Sequence, residues 1–108
     1  MDVVEFLFAR IEDDERAARR LLQDRAMSQS GRWYEQRLLR ECDAKRSLIR
    51  IVEAARQAGL ARMVSTDPAD GHWVPEAIEW TGQALNALAL PYRDHPDFQE
   101  DWKLPGLV

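Results

Sequence analysis

The chain has 108 residues, 45% of them hydrophobic and 31% charged, with a formal net charge of −4 and a pI near 5.1. That length suits one domain able to bury roughly two-thirds of its unfolded surface, and the composition excludes a disordered chain. One cysteine, Cys42, excludes an internal disulfide and any multi-cysteine zinc site. The acidic total, with bases interleaved among acids as in Glu12-Asp13-Asp14-Glu15-Arg16, argues against a compact duplex-DNA binder.

Residues 2–26 contain neither glycine nor proline, and Val4, Leu7, Phe8, Ile11, Ala18, Leu21 and Leu22 recur at helical spacing. The pattern predicts a first helix over about 2–26, with Asp2 as its N-cap. Acid precedes base by four residues at Glu12/Arg16 and Glu15/Arg19, the favourable order on an exposed helix. The run Ser28-Gln29-Ser30-Gly31 is a polar break. A second helix is expected over about 32–58, with Tyr34, Leu38, Cys42, Ile49 and Val52 along one side and Leu48 and Ala55 beside them. Gly59 would be its stop. Two amphipathic helices joined by a short break form an antiparallel hairpin. Cys42, within the apolar stripe, reads as a small buried hydrophobe.

Residues 60–74 combine turn dipeptides, Asp67-Pro68 and Asp70-Gly71, with short β-prone flanks, and read as an irregular loop in preference to a small hairpin. A third helix is expected over about 75–89, opened by Pro75, with Ala77, Trp80, Ala84, Leu85 and Leu88 on its apolar face. Pro91 disfavours a helical Leu90 and ends it. In the tail, Asp94 or His95 can cap a further helix over about 96–102. Pro96 presets its first turn, and Phe98 and Trp102 share one face. With Tyr92, these aromatics can cover the open end of the hairpin.

Three constellations carry possible chemistry. The stripe of helix 1 is interrupted by Asp14 and Glu15, and that of helix 2 by Lys45. The preferred reading is a partly buried cross-hairpin ion pair of Glu15 or Asp14 with Lys45 or Arg46, which fixes helix register. The alternative is an acidic metal site built from Glu12, Glu15, Glu41 and Asp43, as in the all-α nucleotide pyrophosphohydrolases. Glu41-Cys42-Asp43 departs from their E-x-x-D spacing, because residues two apart point to different sides of a helix. Lys45 and Arg46 with Arg37, Arg40 and Arg50 form a basic cluster, countered by Glu35, Glu41 and Asp43, and read as a solvated mixed face. His95 between Asp94 and Asp97 reads as a cap, because a metal site needs further ligands and His72 is the only other histidine.

Three stretches, "FLFARIEDDERAAR" at 6–19, "LLRECDAKRSLI" at 38–49 and "LALPYRDHPDFQEDW" at 88–102, resemble a family of small actinobacterial and actinophage proteins of unknown function. Its pattern is an F-L-x-A-R-x-x-E-D-E helix, an L-R-E-x-x-A-K-R helix and an A-L-P-Y-x-D-H-P-x-Y-x-x-x-W ending. The likeness spans most of the chain outside 26–37 and 60–80. Asp14 and Phe98 depart from the pattern, and "MSQSGRWY" stands where many members carry a longer tryptophan-bearing segment. The resemblance implies an actinobacterial or phage cytoplasm and an all-helical core. It singles out Arg10, Glu12, Glu41, Lys45, Arg46, Tyr92, Asp94, His95 and Trp102, and brings no activity, substrate or cofactor.

The expectation is therefore an all-α domain spanning 1–108: a long antiparallel hairpin, a third helix packed across it, and a short aromatic tail. The function expected is non-enzymatic, a small interaction or accessory protein binding a protein partner or itself, with Trp33 and Trp73 as candidate anchors near the chain's breaks. A metal-dependent phosphoester or nucleotide hydrolase and a nucleic-acid accessory factor are the alternatives. No apolar run approaches membrane-spanning length and the first residues, Met1-Asp2, lack a basic signal-peptide region. A cytoplasmic protein is expected, without cofactor or membrane, and with nucleic acid an unfavoured partner.

Overall fold

A computed structural model describes residues 1–63 and 74–104. Helix α1 spans Val3–Leu22, α2 spans Gln29–Met63 and α3 spans Val74–Ala89, followed by single 3-10 turns at Leu90–Tyr92 and Glu100–Trp102. No strand occurs among the described residues. Helices α1 and α2 pack against each other and α3 packs across them, the arrangement expected from the apolar periodicities. Cross-links between α1 and α2 set the direction: Arg46 meets Glu15 and Arg32 meets Leu22, so the two helices run antiparallel. Their axes give a rod 63 × 25 × 23 Å.

Each helix end has a local cause. The Asp2 carboxylate accepts the Glu5 backbone N–H at 2.8 Å, the expected N-cap. Helix α1 ends at Leu22, earlier than the expected 26. Arg32 reaches back and donates to the Leu22 and Asp24 carbonyls at 3.0 and 2.7 Å, and the Asp24 carboxylate holds the Ala26 N–H, a turn that competes with further helix. The expected polar break begins α2, because the Ser28 hydroxyl accepts the Gly31 N–H at 3.0 Å.

At its other end α2 overruns the expected stop by four residues, to Met63. Gly59 does not terminate the helix. It is buried where α3 crosses, and a Cβ there would stand 3.1 Å from Ile78 Cγ1. The glycine permits close helix approach in place of a left-handed cap. Residues 60–63, expected in a loop, are helical. The loop-or-hairpin expectation for the following segment, His72 and Trp73 included, lies outside the described residues.

Helix α3 begins at Val74 and ends at Ala89, before Pro91 as the sequence requires. Its buried line is Val74, Leu85 and Ala89. Trp80, expected on that face, is 61% exposed. At about 100° per residue it stands more than a right angle from Leu85, so the α2 contact passes it by. The same correction applies to Leu21 and Tyr34, whose side chains also face out.

The tail helix expected over 96–102 is not formed. Residues 93–98 make successive i→i+3 turns, with His95 N–H to Tyr92 O at 2.9 Å and Phe98 N–H to His95 O at 3.0 Å. Pro96 brings no donor, and Gln99 is extended (φ −96°, ψ 139°), which restricts helical geometry to Glu100–Trp102.

The core runs through the middle of the rod. Phe6, Leu7 and Ile11 from α1, Cys42 and Ile49 from α2, Leu85 and Ala89 from α3, and Trp102 from the tail are all buried together. Phe6 is their hub: its ring touches those of Tyr92, His95, Phe98 and Trp102, with centroids 4.9 to 6.2 Å away. Most of these pairs are edge-to-face, the favoured aromatic geometry. The tail therefore covers the hairpin side where Phe6 emerges, with Gln99 donating to the Met1 carbonyl at 2.8 Å. No helix among the described residues is long and apolar enough to cross a membrane.

Candidate functional site

The polar residues of the quoted motifs converge on one flank of α1. Arg10, Asp13, Asp14 and Glu15 lie within a turn and a half, so they fan out around the helix, and each meets a different element.

Glu15 points to α2. Its carboxylate is buried, 7% exposed, and receives both terminal nitrogens of the Arg46 guanidinium, with Arg19 at 3.9 Å on the same helix. This is the cross-hairpin pair expected between the two charged interruptions. The Arg46 hydrogen bonds hold the Glu15 carboxyl below the usual carboxylate range, overcoming burial, which pushes the other way. The same contact pushes the Arg46 guanidinium up. Both groups are thus charged and mutually satisfied.

Asp14 turns toward the tail. The Tyr92 hydroxyl donates to its Oδ2 at 2.7 Å, and the Lys45 ammonium stands 6.0 Å from the Tyr92 ring centre. Burial, then the hydrogen bond to Asp14, raises the Tyr92 hydroxyl well above its ordinary value. The phenol is a structural donor here. Cys42, beneath this pair, is fully buried, and burial with the nearby Asp14 and Glu15 charges pushes its thiol up, away from thiolate reactivity.

Arg10 lies between α1 and the tail turn. It stacks over Phe6 at 5.2 Å, its Nε is 3.1 Å from Asp13 Oδ2, and its Nη1 stands 2.9 Å from His95 Nδ1 and 2.5 Å from Nε2. Asp97 approaches the same guanidinium at 3.9 Å. The His95 Nδ1 also accepts the Asp97 backbone N–H at 3.0 Å, so the histidine caps a turn, where a helix cap was expected. Arg16 pairs with Asp13 on the solvent side and holds the Asp13 carboxyl below the usual range.

Arg10, Glu15, Lys45, Arg46, Tyr92, His95, Phe98 and Trp102 are thus brought into one interlocked flank. Asp94 and Pro96 are not; both are exposed at the rim. Nor are the acids of the alternative metal site assembled. Glu15 is taken by Arg46, Glu41 is exposed and paired with Arg37 at 3.0 Å, and Glu12 and Asp43 are exposed. Among the described residues no group of three or more His, Cys, Asp or Glu is placed to hold a metal ion. Sequence reasoning missed Phe6 and Asp13, and set Asp97 beside His95 without its approach to Arg10. Phe6 lies off the main stripe beside Leu7, and its one sequence signal was its place in the first quoted motif.

The Tyr92–Asp14 bond gives an alkaline prediction. The Tyr92 hydroxyl ionises later in the folded than in the unfolded protein, so its contribution to stability is full below the unfolded value of about 10 and is lost as pH rises beyond it. Denaturant melts should show the stability gap between wild type and Tyr92→Phe shrinking above about pH 10. Parallel curves would refute the assignment.

Trp33, a candidate anchor, is 50% exposed at the start of α2, edge-to-face with Tyr34 and with Arg37 over its ring at 5.6 Å. Comparison with curated proteins and with solved structures returns no match. One sequence family does match, over residues 1–104, nearly the whole described chain. The chain belongs to the Family of unknown function (DUF6221).

Proposed function

We propose that this protein is a small non-enzymatic interaction or accessory module, working in an actinobacterial or actinophage cytoplasm and acting through a helical face on a protein partner or on a second copy. One observation carries the reading. The side of α2 turned away from α1 and α3 presents Ala44, Leu48, Ile51, Ala55 and Ala58 at alternating spacings of four and three, all exposed, with Leu48 46% and Ile51 66% accessible. That spacing lays a continuous apolar seam along four turns, the pattern by which one helix receives another. Exposed apolar residues occurring singly mean little, but a contiguous row does mark interaction surfaces. Trp33 stands on the same outer face three turns before Ala44, with Arg37 and Arg40 between them. Tryptophan and arginine are the residue types that most often anchor interfaces.

The chemistry-bearing side chains give the complementary support, since Glu15, Asp14, Tyr92 and His95 each have an internal partner. The test is Ile51→Glu. Because Ile51 is exposed, the stability should stay within about ±0.5 kcal/mol of wild type. Self-association followed by light scattering across a concentration series, or capture of a partner identified with wild-type bait, should be lost. A monomer at every concentration that captures the same proteins with and without the substitution would refute the seam.

A further inference from the structure

The whole-chain charge hides a strong asymmetry. Residues 16–40, the last two turns of α1, the connection and the first three turns of α2, hold seven arginines against two acids, Asp24 and Glu35. That end of the rod carries +5, and the rest of the chain carries −9 of the total −4. Such separation within one chain is a signature of polyanion binding that a net count conceals. Charges screen over about 8 Å at physiological salt, and the rod is 63 Å long. Acids border the segment, Glu12 to Glu15 on α1 and Glu41 and Asp43 on α2, so the excess positive charge is concentrated toward the connection, where residues 19–37 hold five arginines against Asp24 and Glu35.

The arginines at the tip differ in availability. Arg32 is engaged with the α1 carbonyls. Arg16 and Arg37 pair with Asp13 and Glu41, but all four side chains are well exposed, and exposed pairs are worth about 0–1 kcal/mol, so another anion can replace the carboxylate. Arg20, Arg25 and Arg40 are exposed with no ion pair among the described residues. Glu12 and Asp43 bound the tip on its inner side. Beside these arginines, Trp33 and Tyr34 are 50% and 63% exposed.

The arginines are distributed around the tip. Arg20 points directly away from the buried stripe of α1, whereas Arg37 and Arg40 follow Trp33 along the outer face of α2. A stiff duplex could touch only one side, and its base faces are hidden. A flexible single strand can bend around the end, meet guanidinium groups with its phosphates and stack bases on the two aromatics, which is how sequence-tolerant single-strand binders work. Arginine suits phosphate better than lysine does, and every basic residue in this segment is arginine. An acidic peptide would satisfy the charge and leave the aromatic faces without a planar partner. We infer that the arginine-rich hairpin tip, with Trp33 and Tyr34, is a binding site for single-stranded nucleic acid. It goes beyond the protein-interaction face, whose apolar row from Ala44 to Ala58 lies farther along α2 and which shares with this site only its Trp33–Arg40 end.

The test is fluorescence anisotropy of a labelled oligothymidylate of about 20 nucleotides with the full chain, starting at low salt. Micromolar binding is expected, weakening with salt at a log–log slope of about −2, as three phosphate contacts at roughly −0.7 each require. Trp33→Ala should weaken it by about fivefold or more, the lower end of one base stack. Arg25→Glu and Arg40→Glu should weaken it further, while Arg93→Glu, the same charge change in the tail turn away from the tip, should leave it nearly unchanged. A duplex of equal charge should bind less tightly. Three results would overturn the inference: no anisotropy change at low salt, equal loss from Arg93→Glu and Arg25→Glu, or equal competition by polyglutamate or by anionic lipid vesicles. None depends on Ile51, so this site and the apolar seam fail separately.

Discussion

Replacing Phe6 by alanine should cost about 3–5 kcal/mol, the range for emptying a buried phenylalanine site. That is a third or more of a typical small domain's stability and corresponds to a fall in melting temperature of about 15 °C or more. Phe6 is fully buried and its ring is the one contact shared by Tyr92, His95, Phe98, Trp102 and the Arg10 guanidinium. Its removal should therefore release the tail before the helices. Near-ultraviolet circular dichroism from the aromatic cluster should collapse, and amide exchange over residues 92–102 should rise more than over α2. If protection were lost uniformly, the tail would be an integral part of the helical core instead of a segment docked on one side chain. Phe6→Leu keeps most of the volume and should recover much of the stability while leaving the edge-to-face contacts unmade.

The second large effect concerns the Glu15–Arg46 pair. Arg46→Ala leaves a buried carboxylate with only Arg19 at 3.9 Å, and should cost about 3 kcal/mol, the lower part of the range for stripping one partner from a buried pair. Replacing both residues by methionine should recover most of that loss, because a buried pair returns little beyond its own desolvation. A double-mutant cycle in denaturant would measure the difference, and additive single effects would show that the two groups do not act as a pair. The pair also sets an acid limit. Glu15 binds its proton at lower pH in the folded than in the unfolded protein. Its stabilisation is therefore present above the unfolded value of about 4.3 and lost as pH falls through the folded one. Acid unfolding of Arg46→Ala should begin at a higher pH than that of wild type. The double methionine variant should lack this component.

Local pattern carried much of the architecture. The 3.6-residue periodicity placed three helices, Asp2 capped the first, and Pro91 ended the third, because these depend on neighbours within one turn. The charged interruptions of two apolar stripes foretold a cross-hairpin ion pair, since a buried carboxylate requires a buried partner. Other signals depended on what lay alongside. Gly59 reads as a stop in isolation, yet the approach of Ile78 makes it a contact point inside a continuing helix. Trp80 and Tyr34 have the hydrophobicity of core residues, and only the direction of the neighbouring helix leaves them in solvent. The tail had the right residues for a helix cap, but it docks onto Phe6 and Arg10, and the extended Gln99 leaves helical geometry only to Glu100–Trp102.

The sequence by itself determined an all-α chain with no disulfide, two long amphipathic helices in a hairpin, a third helix ending at a proline, and an ion pair at the crossing of two stripes. Those properties follow from spacing, capping and charge along one strand of chain. The tertiary structure alone decided which of Asp14 and Glu15 meets Arg46, that Phe6 organises the tail, and which apolar side chains remain exposed on α2. It also showed that seven arginines gather at one end of a rod in a chain of net negative charge. The reason is that burial and field are properties of three-dimensional neighbourhoods, and a helix wheel gives a direction without saying what stands there.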